Sequence, residues 1–116
     1  MVGGRVSPVS PVNLNETAAG LPQAWSSLVL GRVGSACVKV LRMDELPLAE
    51  ESHEAPEALL VLDGRLELAV AGRPVTVRSG ELYLIPAGTP HAVRPGSRGT
   101  LVIVELGSRR AERRGR

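Results

Sequence analysis

Turn chemistry returns every eight to twelve residues between positions 28 and 106, and the stretches between are too short for ordinary helices. The turns read Asp63-Gly64, Ala71-Gly72, Ser79-Gly80, Pro86-Ala87-Gly88 and Arg94-Pro95-Gly96-Ser97. Between them the chain alternates as half-buried strands do. Val38, Val40 and Arg42 alternate with Lys39 and Leu41, and Arg65, Glu67 and Ala69 alternate with Leu66, Leu68 and Val70. Residues 59–62 form a short apolar run, and Val75 and Val77 flank Thr76. Pro74 suits a strand start or a sheet edge, where its missing N–H does no harm. Asp63-Gly64 predicts a tight hairpin, because both residue types tolerate positive φ. No helices alternate with the strands, so a parallel sheet is excluded and an all-β sandwich or barrel is expected.

The one helical candidate covers residues 13–24, with Asn15 or Thr17 as its cap and Gly20 and Pro22 as its stop. Trp25 follows and is expected to pack over one end of the core. Residues 1–12, rich in Gly, Ser, Pro and Val, read as a flexible arm, and residues 13–106 as one barrel domain. Residues 107–116 read as a disordered basic tail. That tail holds five arginines and one glutamate, which more than accounts for the net charge of +2 and leaves the body at −2. With Trp25 and Tyr83 as the only aromatic residues, no base-stacking platform can be built, so nucleic acid is not an expected partner. No apolar run approaches membrane-spanning length, and residues 1–12 lack the apolar segment of a secretion signal. A cytoplasmic protein is the expectation. The single cysteine, Cys37, has no internal partner and reads as a small buried hydrophobe.

Only two histidines occur, His53 and His91, and both sit beside turn residues. Glu51 and His53 are two apart and would project from one face of a strand. Glu57 lies four beyond His53, roughly 13 Å along a straight strand. Pro56 implies that the chain turns there, so that Glu57 starts the antiparallel neighbour and returns to the level of His53. His91, delivered by the Pro-x-Gly turn at residues 86–88, could complete the cluster from a third strand. Imidazoles and carboxylates gathered at a barrel mouth suit a divalent metal ion, and a cation relieves the repulsion between carboxylates.

These residues resemble the two motifs of the cupin superfamily. His53-x3-Glu57-x6-Gly64 matches the second half of the first motif. Gly80-x5-Pro86-x-Gly88-x2-His91 matches the second motif through its histidine. The resemblance runs from about Asn13 to Leu106 and implies a double-stranded β-helix, a jelly-roll-like barrel preceded by a short helix. It implies one divalent ion, Mn, Fe, Zn or Ni, with Glu51, His53, Glu57 and His91 as the candidate ligands, and a homodimer. Three positions depart from the family pattern. Glu51 stands where the first ligand histidine is usual, Pro95 stands where the second motif ends in Asn, and the opening glycine of the first motif is missing.

Glu51 therefore carries alternatives: a fourth ligand, a general base, or the mark of a site that no longer takes metal. Tyr83 is a second candidate catalytic residue if it points inward, and packing if it does not. The resemblance implies a metal-dependent enzyme of dioxygenase or isomerase type acting on a small organic substrate. The alternative is a non-catalytic barrel that binds or senses a small molecule.

Overall fold

A computed structural model of the chain describes residues 10–46, 48–51 and 55–106. The arm and tail expectations fall almost wholly on residues 1–9 and 107–116, outside the described residues. One helix, α1 (Leu14–Ala19), precedes eight strands: β1 (Leu28–Val33), β2 (Ala36–Met43), β3 (Leu48–Glu51), β4 (Glu57–Val70), β5 (Arg73–Arg78), β6 (Leu82–Ile85), β7 (His91–Val93) and β8 (Arg98–Leu106). Every pairing is antiparallel, and the order is β1-β2-β8-β4-β7-β3, with β5 and β6 also on β4.

The helix is shorter than the sequence suggested and is capped by a different residue. Asn13 has extended backbone angles, and its side-chain oxygen accepts from the Glu16 N–H at 2.9 Å. Thr17 instead donates its hydroxyl to the Asn13 carbonyl at 2.7 Å. Gly20 ends the helix after 6 residues. The helix then lays Leu14 and Ala18 over the outer face of β2 and β8, against Val40 and Val102.

The larger correction concerns Asp63-Gly64. The chain makes no hairpin there but runs on as a single 14-residue strand. Gly64 has φ +80° and lies opposite Gly99 of β8, whose φ is +108°. A Cβ on Gly64 would stand 2.0 Å from the Arg98 carbonyl oxygen, and one on Gly99 would stand 1.9 Å from that of Asp63. The two backbones approach so closely that only glycine fits on either side. The register also slips between Val61 and Asp63, which marks a bulge. The bulge changes which positions face inward: Leu59 and Val61 before it, then Leu66, Leu68 and Val70 after it.

That bend lets one strand serve two walls. The first half of β4 pairs with β6 and β8, and the second half with β5 and β7. The inward side chains of both halves meet in one aliphatic core with Leu41, Met43, Val77, Ile85 and Leu101. The hairpin at Ala71-Gly72 forms as the sequence indicates, with φ +49° and +81° at its two residues. Pro74 lies on β5, an edge strand. Cys37 is buried, as a small apolar residue would be.

Gly64→Ala should lower stability by at least about 3 kcal/mol, since it adds an atomic overlap to an unfavourable φ. Gly34→Ala is the matched control: its φ is +60°, but an added Cβ meets nothing within 4 Å. It should cost only about 1–2 kcal/mol. Urea denaturation of the two variants checks this, and equal losses would show that the close approach at Gly64 is not a constraint.

Candidate functional site

The barrel holds a pocket of about 210 Å³, open to solvent on one side, with mostly apolar walls from Leu41, Leu59, Leu66, Leu68, Val93, Leu101 and Ile103. Its polar lining is Ser27, Lys39, Glu57, His91 and Glu105, and Trp25 closes part of the wall. Glu57 enters from the first residue of β4 and His91 from the first residue of β7. They belong to opposite walls, because β7 pairs with the far half of β4. Their side chains nevertheless meet across the interior: His91 Nε2 lies 3.3 Å from Glu57 Oε1. Both side chains are nearly buried, at 8% and 10% exposure.

The Pro-x-Gly turn sets the state of the imidazole. His91 Nδ1 lies 2.9 Å from the Thr89 carbonyl oxygen, which can only accept, so Nδ1 carries a proton. Nε2 is then the nitrogen turned toward the carboxylate. In a neutral ring it bears a lone pair, and a lone pair facing an ionised carboxylate at this distance is repulsive. A proton, on Nε2 or on the carboxyl, or a cation shared by both groups relieves that repulsion. A backbone carbonyl on one ring nitrogen is also the usual support for a histidine that offers the other to a metal.

The sequence expectation grouped Glu51, His53, Glu57 and His91. Of these, Glu57 and His91 are brought together. Glu51 is described as backbone only, and it is the register partner of His91 on β3. His53 lies outside the described residues. Among the described residues no group of three or more His, Cys, Asp and Glu gathers in a metal-holding arrangement. The route to the pair also differs from expectation. Glu57 does not begin a strand placed beside β3, because β7 lies between β4 and β3. Tyr83 points inward, as Leu82 and Leu84 on either side point out, and it packs against the core without lining the cavity.

Four polar or aromatic residues of the cavity were not singled out as site residues from sequence. Lys39 Nζ donates to Glu105 Oε2 at 2.5 Å, with side chains only 23% and 25% exposed. Lys39 shares its alternation class with Leu41, but Val38 and Val40 on the other face are equally apolar, so the pattern alone does not turn Lys39 inward. Ser27 left no sign either. Trp25 does pack on the core, but it also lines the cavity, in a left-handed conformation of φ +65°. Its backbone N–H donates to the Arg42 carbonyl at 2.8 Å, which holds that conformation.

The fold has known counterparts. The cupin domain model matches residues 44–107, and the chain belongs to the cupin family. No curated protein matches the sequence closely enough to count. A cupin-2 domain protein from Shewanella frigidimarina is 25% identical with a TM-score of 0.75, over 83% of this chain and 94% of its own. An RmlC-like cupin from the same organism is 16% identical with a TM-score of 0.64, over 74% of this chain and 78% of its own. A hydroquinone 1,2-dioxygenase from Sphingomonas, solved with 4-nitrophenol, is 27% identical with a TM-score of 0.76. That match covers 87% of this chain and 33% of the dioxygenase.

The tautomer can be read directly. In long-range proton–nitrogen NMR spectra of His53→Ala, one imidazole remains, and its Nδ1 should carry a proton. A ring protonated only at Nε2 would remove the Thr89 hydrogen bond and the electrostatic case for a shared cation.

Proposed function

We propose that this cupin binds a divalent metal ion between Glu57 and His91 and acts on a small organic substrate in the adjoining cavity. One observation carries the reading: His91 Nδ1 lies 2.9 Å from the Thr89 carbonyl oxygen, and Nε2 faces the nearly buried Glu57 carboxyl at 3.3 Å. A mixed set of imidazole and carboxylate donors suits Mn²⁺, Fe²⁺, Zn²⁺ or Ni²⁺. Glu51 and His53 are the remaining ligands proposed, and the pairing of Glu51 with His91 supports its backbone placement. A bound ion would supply Lewis acidity toward a carbonyl or carboxylate oxygen of the substrate.

The chain's own residues would do the rest. Thr89 fixes the His91 ring, so Nε2 is oriented before any ion arrives, and the proton held there would be released as an ion binds. Glu57 brings negative charge into a low-dielectric wall, where a cation is held more strongly than in water. Leu59, Leu66, Leu68 and Ile103 would give the substrate an apolar wall on the inner side of the pocket. The likeness to a dioxygenase supports oxygenase chemistry over isomerase chemistry as the first reaction type to assay. Glu51 as a general base and Tyr83 as a catalytic group are secondary to the ion itself.

Protein purified without an affinity tag should carry about one divalent ion per chain by inductively coupled plasma mass spectrometry. His91→Ala and Glu57→Ala should each fall to about a tenth of that or less. Loss in Glu51→Ala as well would make Glu51 a ligand, and retention would free it for base chemistry. Full occupancy in both His91→Ala and Glu57→Ala would overturn the site.

A further inference from the structure

The cavity has a second polar pole that the metal reading does not use. Lys39 and Glu105 form it, on the neighbouring strands β2 and β8. Glu105 is also the direct register partner of Glu57 across β8 and β4. Two carboxylates directly opposed on one face repel each other. Here Lys39 neutralises one and His91 meets the other, so the polar groups run as His91, Glu57, Glu105 and Lys39. Packing gives no reason for a charged pair inside an aliphatic barrel, since apolar residues of similar volume generally serve stability as well or better.

We propose that the Lys39–Glu105 pair is a recognition site for a hydroxyl group on a neutral ligand about the size of one six-membered ring. This rests on the reading of the cavity as a substrate site and names the class of molecule it takes. The volume accommodates one ring: a closed apolar cavity of about 150 Å³ holds benzene, and this pocket, open on one side, is about 210 Å³. The chemistry follows from charge. The contact pairs one positive with one negative group, so a ligand that both donates and accepts matches it better than a singly charged one. A hydroxyl oxygen can accept from the Lys39 ammonium while its hydrogen is donated to the Glu105 carboxylate, satisfying donor and acceptor together. A ligand carboxylate would instead meet Glu105 and, one strand away, Glu57. Trp25, whose indole N–H has no hydrogen-bond partner among the described residues, lines the same cavity and is the sole tryptophan. Its fluorescence therefore reports occupancy.

The test titrates phenol, toluene and benzoate into the full chain and follows Trp25 fluorescence, with metal content measured on the same preparations. Phenol should quench saturably and bind about tenfold or more tighter than toluene, because its hydroxyl bonds to charged groups. Benzoate should bind more weakly than phenol. In the double variant Lys39→Met/Glu105→Leu the preference for phenol over toluene should fall to about one, with metal content unchanged. Its melting temperature should stay near that of the wild type, because the whole pair is replaced by apolar bulk. A preference that survives in the double variant, a preference for benzoate, or no saturable quenching by phenol would each overturn the proposal. A wild type without metal that still shows the phenol preference, lost in the double variant, would sink the metal reading and leave this one standing.

Discussion

The approach of Gly64 to Gly99 is the contact on which the rest of the architecture depends. A side chain on either residue would collide with the opposite backbone, at 2.0 Å and 1.9 Å. Their contact allows β4 to bulge and bend without leaving its partner β8. One strand then supplies both walls, and its inward positions change from odd to even numbers across the bend. A straight β4 would leave its two ends on a single wall, with nothing to carry β7 round to face Glu57. The electrostatics of the interior therefore descend from a steric fact about two glycines.

Once the walls are closed, the second constraint is local. Nδ1 of His91 is committed to a carbonyl within its own turn, and Nε2 is committed by the barrel to a carboxylate. The two commitments together call for a shared proton or a cation at that point. Lys39 meets the same need for Glu105 on the neighbouring strands. The interior is thus an aliphatic shell around a short row of compensated charges. Charges so placed weaken a purely structural core, which is the physical basis for the proposed binding role of the pocket.

Much of this was legible in the sequence, for identifiable reasons. The strands followed from alternation and turn spacing, and the second cupin motif located both the Pro-x-Gly turn and His91. Asp63-Gly64 misled because positive φ serves a hairpin and a bulge equally well. Both also reset the alternation, so Leu59 and Val61 against Leu66 and Leu68 could not separate them. What separates them is Gly99, thirty-five positions on, whose partner no local pattern reveals. The strand order misled for a similar reason: β7 inserts between β3 and β4 through pairing distant in sequence. The helix cap was misplaced by two residues because Asn13 and Asn15 are equally good caps by type, and only the backbone chooses. Lys39 lay on one of two equally apolar faces of β2, and its partner Glu105 lies 66 positions away, so neither its direction nor its pairing was legible.

The most direct measurement is a cobalt titration of the metal-free protein followed by visible absorption, in wild type and in His91→Ala. If Glu57 and His91 share an ion, the wild type should develop ligand-field bands that saturate at about one equivalent, and His91→Ala should not. Bands of equal strength in both proteins, or none in the wild type, would contradict a metal centre built on this pair.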